Sequence, residues 1–492
     1  MRRIVVVAVL STLALALAFA QEGEQDAEKV ALRKKIEGMM KNAMNAIEKL
    51  RGHEYRKKVP LEIPTRGELE KMMLKQFEEE TRPGELEKAE RVLLKFGVWE
   101  KGKNIKELMV AMLKKGVAGM YSPKEKKFMV IKDVAGRLDA PMVVAHELLH
   151  AMQDQQFDLW AFMRHIIVND DRMLAHQAVV EGEATLLGID YMVSVRRRGK
   201  SVYETGGSLE RLVRMNFAMQ QRPKNLPRVL FETLIFPYLH GSVLVDRYMR
   251  REGGYKKNDY LFLWPPLSTE QILHPEKYLD PEKRDLPTEI RLRDPVETLG
   301  EKEYESIGAG VVGEFLLRVI GRHFVDEKDG LKADEPVKMA DGWDGDFYVI
   351  MTHKKSDRDI LFWPSTWDSE DEAKEFVDCY LKCLKKKYGK EAWCRDDTAC
   401  FWVKAGELVW VERKGADVLV VEGADADELR KLRELAAKAE KYVATYRKYA
   451  LRKEAPKLPE EPAQKEPPKP GPEPKPGPKP GPKPEPQPPE EF

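Results

Sequence analysis

Apolar and polar positions change rhythm along the chain, and the rhythm marks out its elements. Residues 26–59 predict a helix rich in Lys and Glu, and residues 66–115 predict further helices, broken near "TRPGE" and "GKN". In "GVAGMYSPKEKKFMVIKD" apolar residues flank a Ser122-Pro123 turn, which predicts a hairpin. "APMVVAHELLHAMQDQQFDLW" predicts a helix starting near Pro141. "NDDRMLAHQAVVEGEATLLGIDYMVSV" predicts a second, with Asn169 or Asp170 as its cap. Residues 208–300 mix helix and loop, and "WPPLSTEQILHPEKY" is a connection punctuated by proline.

From about residue 340 the texture changes. "GWDGDFYVIMTHKKSDRDILFWPSTW" predicts two strands and "SEDEAKEFVDCYLKCLKKKYG" a helix. "CFWVKAGELVWVERKGADVLVVEG" adds strands, and "DADELRKLRELAAKAEKYVATYRKYA" predicts a closing helix. The expected class is α+β. An N-terminal helical segment (21–60) precedes a mainly helical domain with a small sheet (61–335). A small α+β domain (336–452) and a disordered tail rich in Pro, Lys and Glu (453–492) follow. The stretch from Ala455 onward holds half of the 32 prolines, so it cannot form a core. It is a solvated spacer, or a tether that could contact the cell surface.

Residues 1–20 combine Arg2 and Arg3, an apolar run and Ala18-Phe19-Ala20, the pattern of a cleavable secretory signal. Cleavage would leave Gln21 first. An uncleaved anchor is the rival, and no other segment reads as long and apolar enough to span a bilayer. The expected location is therefore secreted, periplasmic or cell-surface. Net charge is +1, from 84 basic and 83 acidic residues, so no global field favours nucleic acid. Four cysteines fit an exported chain: Cys379, Cys383, Cys394 and Cys400 predict two local disulfides, with a four-cysteine zinc site as the rival.

The chemistry lies in "HELLH". On a helix, His146 and His150 fall on nearly one face and can hold one zinc ion. Glu147 beside them can take a proton from a zinc-activated water as general base and pass it to the leaving amine. A third ligand is needed. The distal histidine of the longer HExxHxxGxxH motif is absent, because Gln153 and Gln156 stand in its glycine and histidine places. The next helix offers "VVEGEAT". Glu181 sits among Ala178, Gly182 and Ala184, whose small side chains would let that helix approach the first. A buried glutamate needs a positive partner, which a metal supplies. Glu183 lies about 200° further round and points elsewhere. Thr185 is a candidate to hydrogen-bond a ligand.

HExxH followed by a helix with Glu-Gly-x-Ala resembles the gluzincin metallopeptidases. "FPYLHGSVLVDRYMRREGGY" is similar to the Tyr-x-x-Gly helix of the aminopeptidase N branch. That resemblance implies a zincin-like fold, zinc, a peptide or protein substrate, and Tyr238 as hydrogen-bond donor to the oxyanion, with Gly241 three residues on. "HELLHAMQDQ", "EGEAT", "STEQILHPEKY" and "GWDGD" also resemble segments of secreted proteins that bring no established substrate, across roughly residues 110–350. Two departures matter. Thirty residues separate His150 from Glu181, about ten more than in the best-known gluzincins, and the segment that holds a free amino terminus in aminopeptidase N is missing. Aminopeptidase activity is therefore not carried over. The hairpin could still pair with an extended peptide.

His240, two after Tyr238, and His274, in "LHPEKY", are candidates for the cleft, while His165 and His176 read as structural or surface residues. Asp344 and Asp346 in "GWDGD" resemble a calcium-type turn, against the commoner reading of a capped tight turn. Two functions remain: a secreted zinc metallopeptidase, or a catalytically silent binding or scaffold protein that keeps a structural zinc site.

Overall fold

The computed structural model describes residues 26–116, 118–164, 169–197, 199–326, 330–356, 358–395, 397–404 and 407–446. The expected signal at 1–20, the tail from 453 and His165 lie outside the described residues.

Four long helices carry the N-terminal half. The N-terminal helix spans Asp26–Arg51 and stops at Gly52, in the left-handed region at φ 72. The motif helix, Ala140–Phe157, has proline in its first turn as expected. The glutamate helix, Asp170–Arg196, is capped by Asn169, whose side chain accepts from the Arg172 amide. The tyrosine helix is Arg228–Glu252. Motif and glutamate helices are buried on nearly every face, from Val143 to Asp154 and from Asp170 to Tyr191. Helices with no exposed face lie inside a fold, so these two form its centre, although they bury several His, Glu, Asp and Arg side chains there. The tyrosine helix is long and apolar enough to cross a membrane, which corrects the expectation that no segment beyond residue 20 would be. Its most apolar window is 72% buried within the protein, which accounts for its composition.

Strands β1 (Leu61–Glu62), β2 (Gly119–Ser122) and β3 (Lys127–Val130) form a small sheet in the order β1-β3-β2. β2 and β3 are the expected hairpin, paired antiparallel from Gly119↔Val130 to Ser122↔Lys127. β4 is Thr288–Arg291, β5 Tyr304–Gly310, β6 Trp343–Asp346, β7 Tyr348–His353, β8 Arg358–Trp367, β9 Trp393–Arg395, β10 Thr398–Lys404, β11 Glu407–Lys414, β12 Asp417–Ala424 and β13 Glu440–Val443. A sheet of eight strands runs β5-β7-β8-β12-β11-β10-β9, with β6 also paired to β8. It recruits β5, from before residue 336, and the described residues 26–446 fall in one compact unit. The chain therefore does not break at 335/336. The closing helix is also shorter than its pattern suggests. It ends at Ala436, and Glu440–Val443 pairs antiparallel with β4. Backbone pairing with a distant strand overrides the local helical pattern there.

Cys379 and Cys383 lie in the helix Glu370–Tyr388, and both are free and buried, so the expected disulfides do not form at these two. Cys379 Sγ faces the Glu335 carbonyl and Cys383 Sγ packs on Met339. The side chains of Cys394 and Cys400 lie outside the described residues. "GWDGD" is strand β6 rather than a calcium-type turn. Asp346 accepts from the amides of Val312 (2.8 Å) and Gly313 (2.9 Å) and from Trp343 Nε1 (2.7 Å).

Candidate metal centre

The motif helix turns His146 and His150 to one side, and the glutamate helix brings Glu181 against them. Glu181 Oε2 lies 3.3 Å from Nε2 of each histidine, and the two Nε2 atoms are 3.0 Å apart. All three residues are buried and form a group able to hold a metal ion. Glu181 Oε2 is enclosed, and neither ring nitrogen meets it with hydrogen-bond alignment. Ligands 2.0–2.1 Å from a tetrahedral ion stand about 3.3–3.4 Å from one another, close to this triangle. Two nitrogens and a carboxylate oxygen are also a donor set that zinc accepts.

The small residues around Glu181 do bring helices together, but not the pair expected. A Cβ on Gly182 would overlap the Gly241 backbone, and one on Gly241 would overlap the Ala178 carbonyl. The glutamate helix thus meets the tyrosine helix there. Gly188 serves the motif helix, where a Cβ would stand 3.0 Å from the Met142 carbonyl. This crossing sets Tyr238 beside His146, with ring centres 6.1 Å apart and planes at 17°, and its hydroxyl bonds to Glu181.

Glu147 is 4% exposed and sits beneath edge strand β2, accepting the Tyr121 amide at 2.7 Å. The Tyr121 hydroxyl donates to Asp154 Oδ2 (2.8 Å), which also receives Lys126 Nζ at 2.7 Å. Asp154 therefore pins the hairpin on the motif helix, one turn beyond His150. Gln153, between them, presents Oε1 to His150 Nδ1 at 2.8 Å. Its Nε2 donates to the Val180 carbonyl (3.1 Å) and to Glu183 Oε2 (2.9 Å).

Burial pushes the Glu147 carboxyl up, and the two histidines and the Tyr121 amide only partly counter it. His150 is pushed up to about 9, since Glu181 and Glu147 outweigh the burial that opposes its charge. Glu181 is held down to about 2, because His150 and His146 overcome burial. Tyr238 is raised well above its usual value, first by burial and then by Glu181 and Glu147, so its hydroxyl keeps its proton at neutral pH.

The other candidates fall elsewhere. His240 stacks on Phe236 with ring centres 5.1 Å apart. Two residues correspond to about 200° of helix, so Tyr238 and His240 face opposite ways. Burial, then Arg214, Arg318 and Arg322, depress His240 to about 3. His274 Nε2 meets Glu314 at 2.9 Å and Arg318 at 3.0 Å. The Thr185 hydroxyl is buried and makes no hydrogen bond. His176 is buried against Phe162, a core position. A cavity of about 370 Å³ opens between the N-terminal helix and the end of the glutamate helix, near Lys49, Asp190 and Ser194; no ligand residue lines it. Sequence reading missed the roles of Gln153, Asp154 and Glu183. Their one signal was position, at three, four and two residues beyond a ligand.

Residues 298–433 match a family described as a domain of unknown function, DUF8575. That span holds all eight strands of the large sheet, β5 to β12, and none of the candidate metal-centre residues. No curated protein and no solved structure matches the chain.

Proposed function

We propose that the protein is an exported zinc-dependent metallopeptidase of gluzincin type. The observation that carries this reading is the Glu181 oxygen facing two imidazole nitrogens in a sealed site, with the buried carboxyl of Glu147 alongside. His146, His150 and Glu181 would hold the ion. Bound zinc would supply Lewis acidity, polarising a scissile carbonyl and lowering the pKa of a water. Glu147, with its carboxyl raised by burial, accepts the proton of the attacking water and returns it to the leaving amine. The Tyr121 amide fixes which carboxylate oxygen faces away from the site. Tyr238 keeps its proton and donates to the oxygen on which charge develops.

A purely structural zinc site is favoured by one feature. His146, Glu147, His150, Glu181 and Tyr238 are each 9% exposed or less, so an extended peptide would need the site to open. Glu147 supports the catalytic reading, because a structural site has no use for a general base.

The test pairs zinc content by elemental analysis with hydrolysis of a peptide library. The expected results are near one zinc per chain, a sharp fall in Glu181→Ala, and lost hydrolysis with retained zinc in Glu147→Gln. No zinc in wild type after reconstitution would remove the metal reading. Zinc without any Glu147-dependent cleavage would leave the structural one.

A further inference from the structure

Behind His150 runs a buried polar chain that leaves the motif helix and ends on the N-terminal segment. Gln153 donates both its amide contacts to acceptors, Val180 O and Glu183 Oε2. Its oxygen must therefore face His150 Nδ1, which in turn must carry the hydrogen. In the neutral ring that binds a metal, this leaves the Nε2 lone pair pointing at Glu181 and His146. The arrangement depends on where the Glu183 carboxylate sits. Glu183 is fully buried; its Oε1 receives Asn258 Nδ2 at 2.8 Å and forms an ion pair with Arg51 Nε at 2.9 Å.

Arg51 is itself only 2% exposed, at the last position of the N-terminal helix. Its other nitrogens are anchored to the Tyr255 carbonyl (2.7 Å) and Asp259 Oδ1 (2.8 Å), and His53 holds Asp259 from the far side at 2.7 Å. The following residues grip the motif helix directly. Tyr55 donates to the Leu148 carbonyl at 2.9 Å and Arg56 to that of Gln155 at 2.9 Å.

We propose that Arg51 is a positioning residue of the metal centre: it fixes Glu183, and through Gln153 it sets the His150 tautomer that presents Nε2 to the ion. The N-terminal helix is then a working part of the site. This rests on the metal reading above. A guanidinium suits the task because it reaches three acceptors at once in a fixed plane, which an ammonium cannot.

The test uses the full chain and measures affinity for zinc and for cobalt(II) by chelator competition, with the cobalt visible spectrum as the geometric readout. Thermal unfolding of the metal-free forms controls for folding. Arg51→Gln is expected to weaken zinc binding by about 10- to 100-fold, the range for a lost partner behind a ligand, and to change the cobalt spectrum. Arg51→Lys should fall between it and wild type. A Gln153→Leu change should add little to Arg51→Gln if both act in one chain. Wild-type affinity and spectrum in a folded Arg51→Gln would overturn the inference while leaving the metal reading intact. Should Arg51→Gln not fold, Arg51→Lys decides, and an unchanged affinity and spectrum there overturns it equally. Wild-type protein that takes up neither metal would overturn the metal reading and this inference together.

Discussion

Gly241 lies so close to Ala178 that a single methyl group on the glycine would overlap the Ala178 carbonyl oxygen. The helices that carry Glu181 and Tyr238 touch backbone to backbone there. Gly241→Ala must force them apart, and with them the candidate ligand Glu181 and Tyr238. Overpacking of this kind costs about 1–3 kcal/mol or more. The expected result is a lower melting temperature together with reduced zinc uptake. Unchanged unfolding and full zinc content would show that the crossing is not needed.

Tyr238 touches Glu181 and stacks beside His146, yet it is not one of the three candidate ligands. Tyr238→Phe should therefore keep zinc. On any peptide that wild type cleaves, kcat should fall by about 10²- to 10³-fold, the usual cost of removing one oxyanion donor, with little change in KM. A change confined to KM would instead make Tyr238 a substrate-binding residue.

Asp154 holds the hairpin by accepting both the Tyr121 hydroxyl and Lys126, and Tyr121 in turn donates its amide to Glu147. Asp154→Ala leaves the buried Tyr121 hydroxyl without this acceptor, at a cost of about 1–3 kcal/mol. Faster proteolysis near Ser122–Lys127 is expected, at unchanged zinc content. Equal digestion rates for variant and wild type would count against the clamp.

Much of this centre was legible because local rules and tertiary needs agree. Spacing alone put His146 and His150 on one face, and the choice of Glu181 followed from its small neighbours. The reason given for those neighbours was incomplete: Gly182 faces Gly241, a contact between helices that spacing within one helix cannot reveal. Glu183 was correctly turned away from the ligands, but its role needs Gln153, Asn258 and Arg51, up to 132 residues away in sequence. Strand β13 was hidden for a similar reason. "EKYV" continues a helical pattern, and only pairing with β4 makes it a strand. Proximity in sequence misled for His240, where two residues along a helix mean the opposite face.

Three buried carboxyls gather where the glutamate helix meets the eight-stranded sheet. Asp170 bonds the Tyr348 hydroxyl, Asp171 receives the Thr269 amide at 3.0 Å and its hydroxyl, and Asp346 gathers Val312, Gly313 and Trp343. Arg172, the next residue, reaches instead to Glu289 at 3.3 Å. Burial, then repulsion from neighbouring carboxylates, pushes Asp170 and Asp171 up to about 7, and burial pushes Asp346 up to about 6. Unfolded aspartates titrate near 3.9, roughly. Between about pH 4 and 7 the native state therefore holds protons that the unfolded chain has released. The cluster's contribution is full below that window and is lost as pH rises through it. Asp170→Asn should remove part of this dependence. Relative to wild type, its melting temperature should rise between pH 5 and pH 8, by an amount equivalent to a few kcal/mol, roughly. A difference that stays constant across that range would mean that Asp170 is already ionised in the fold.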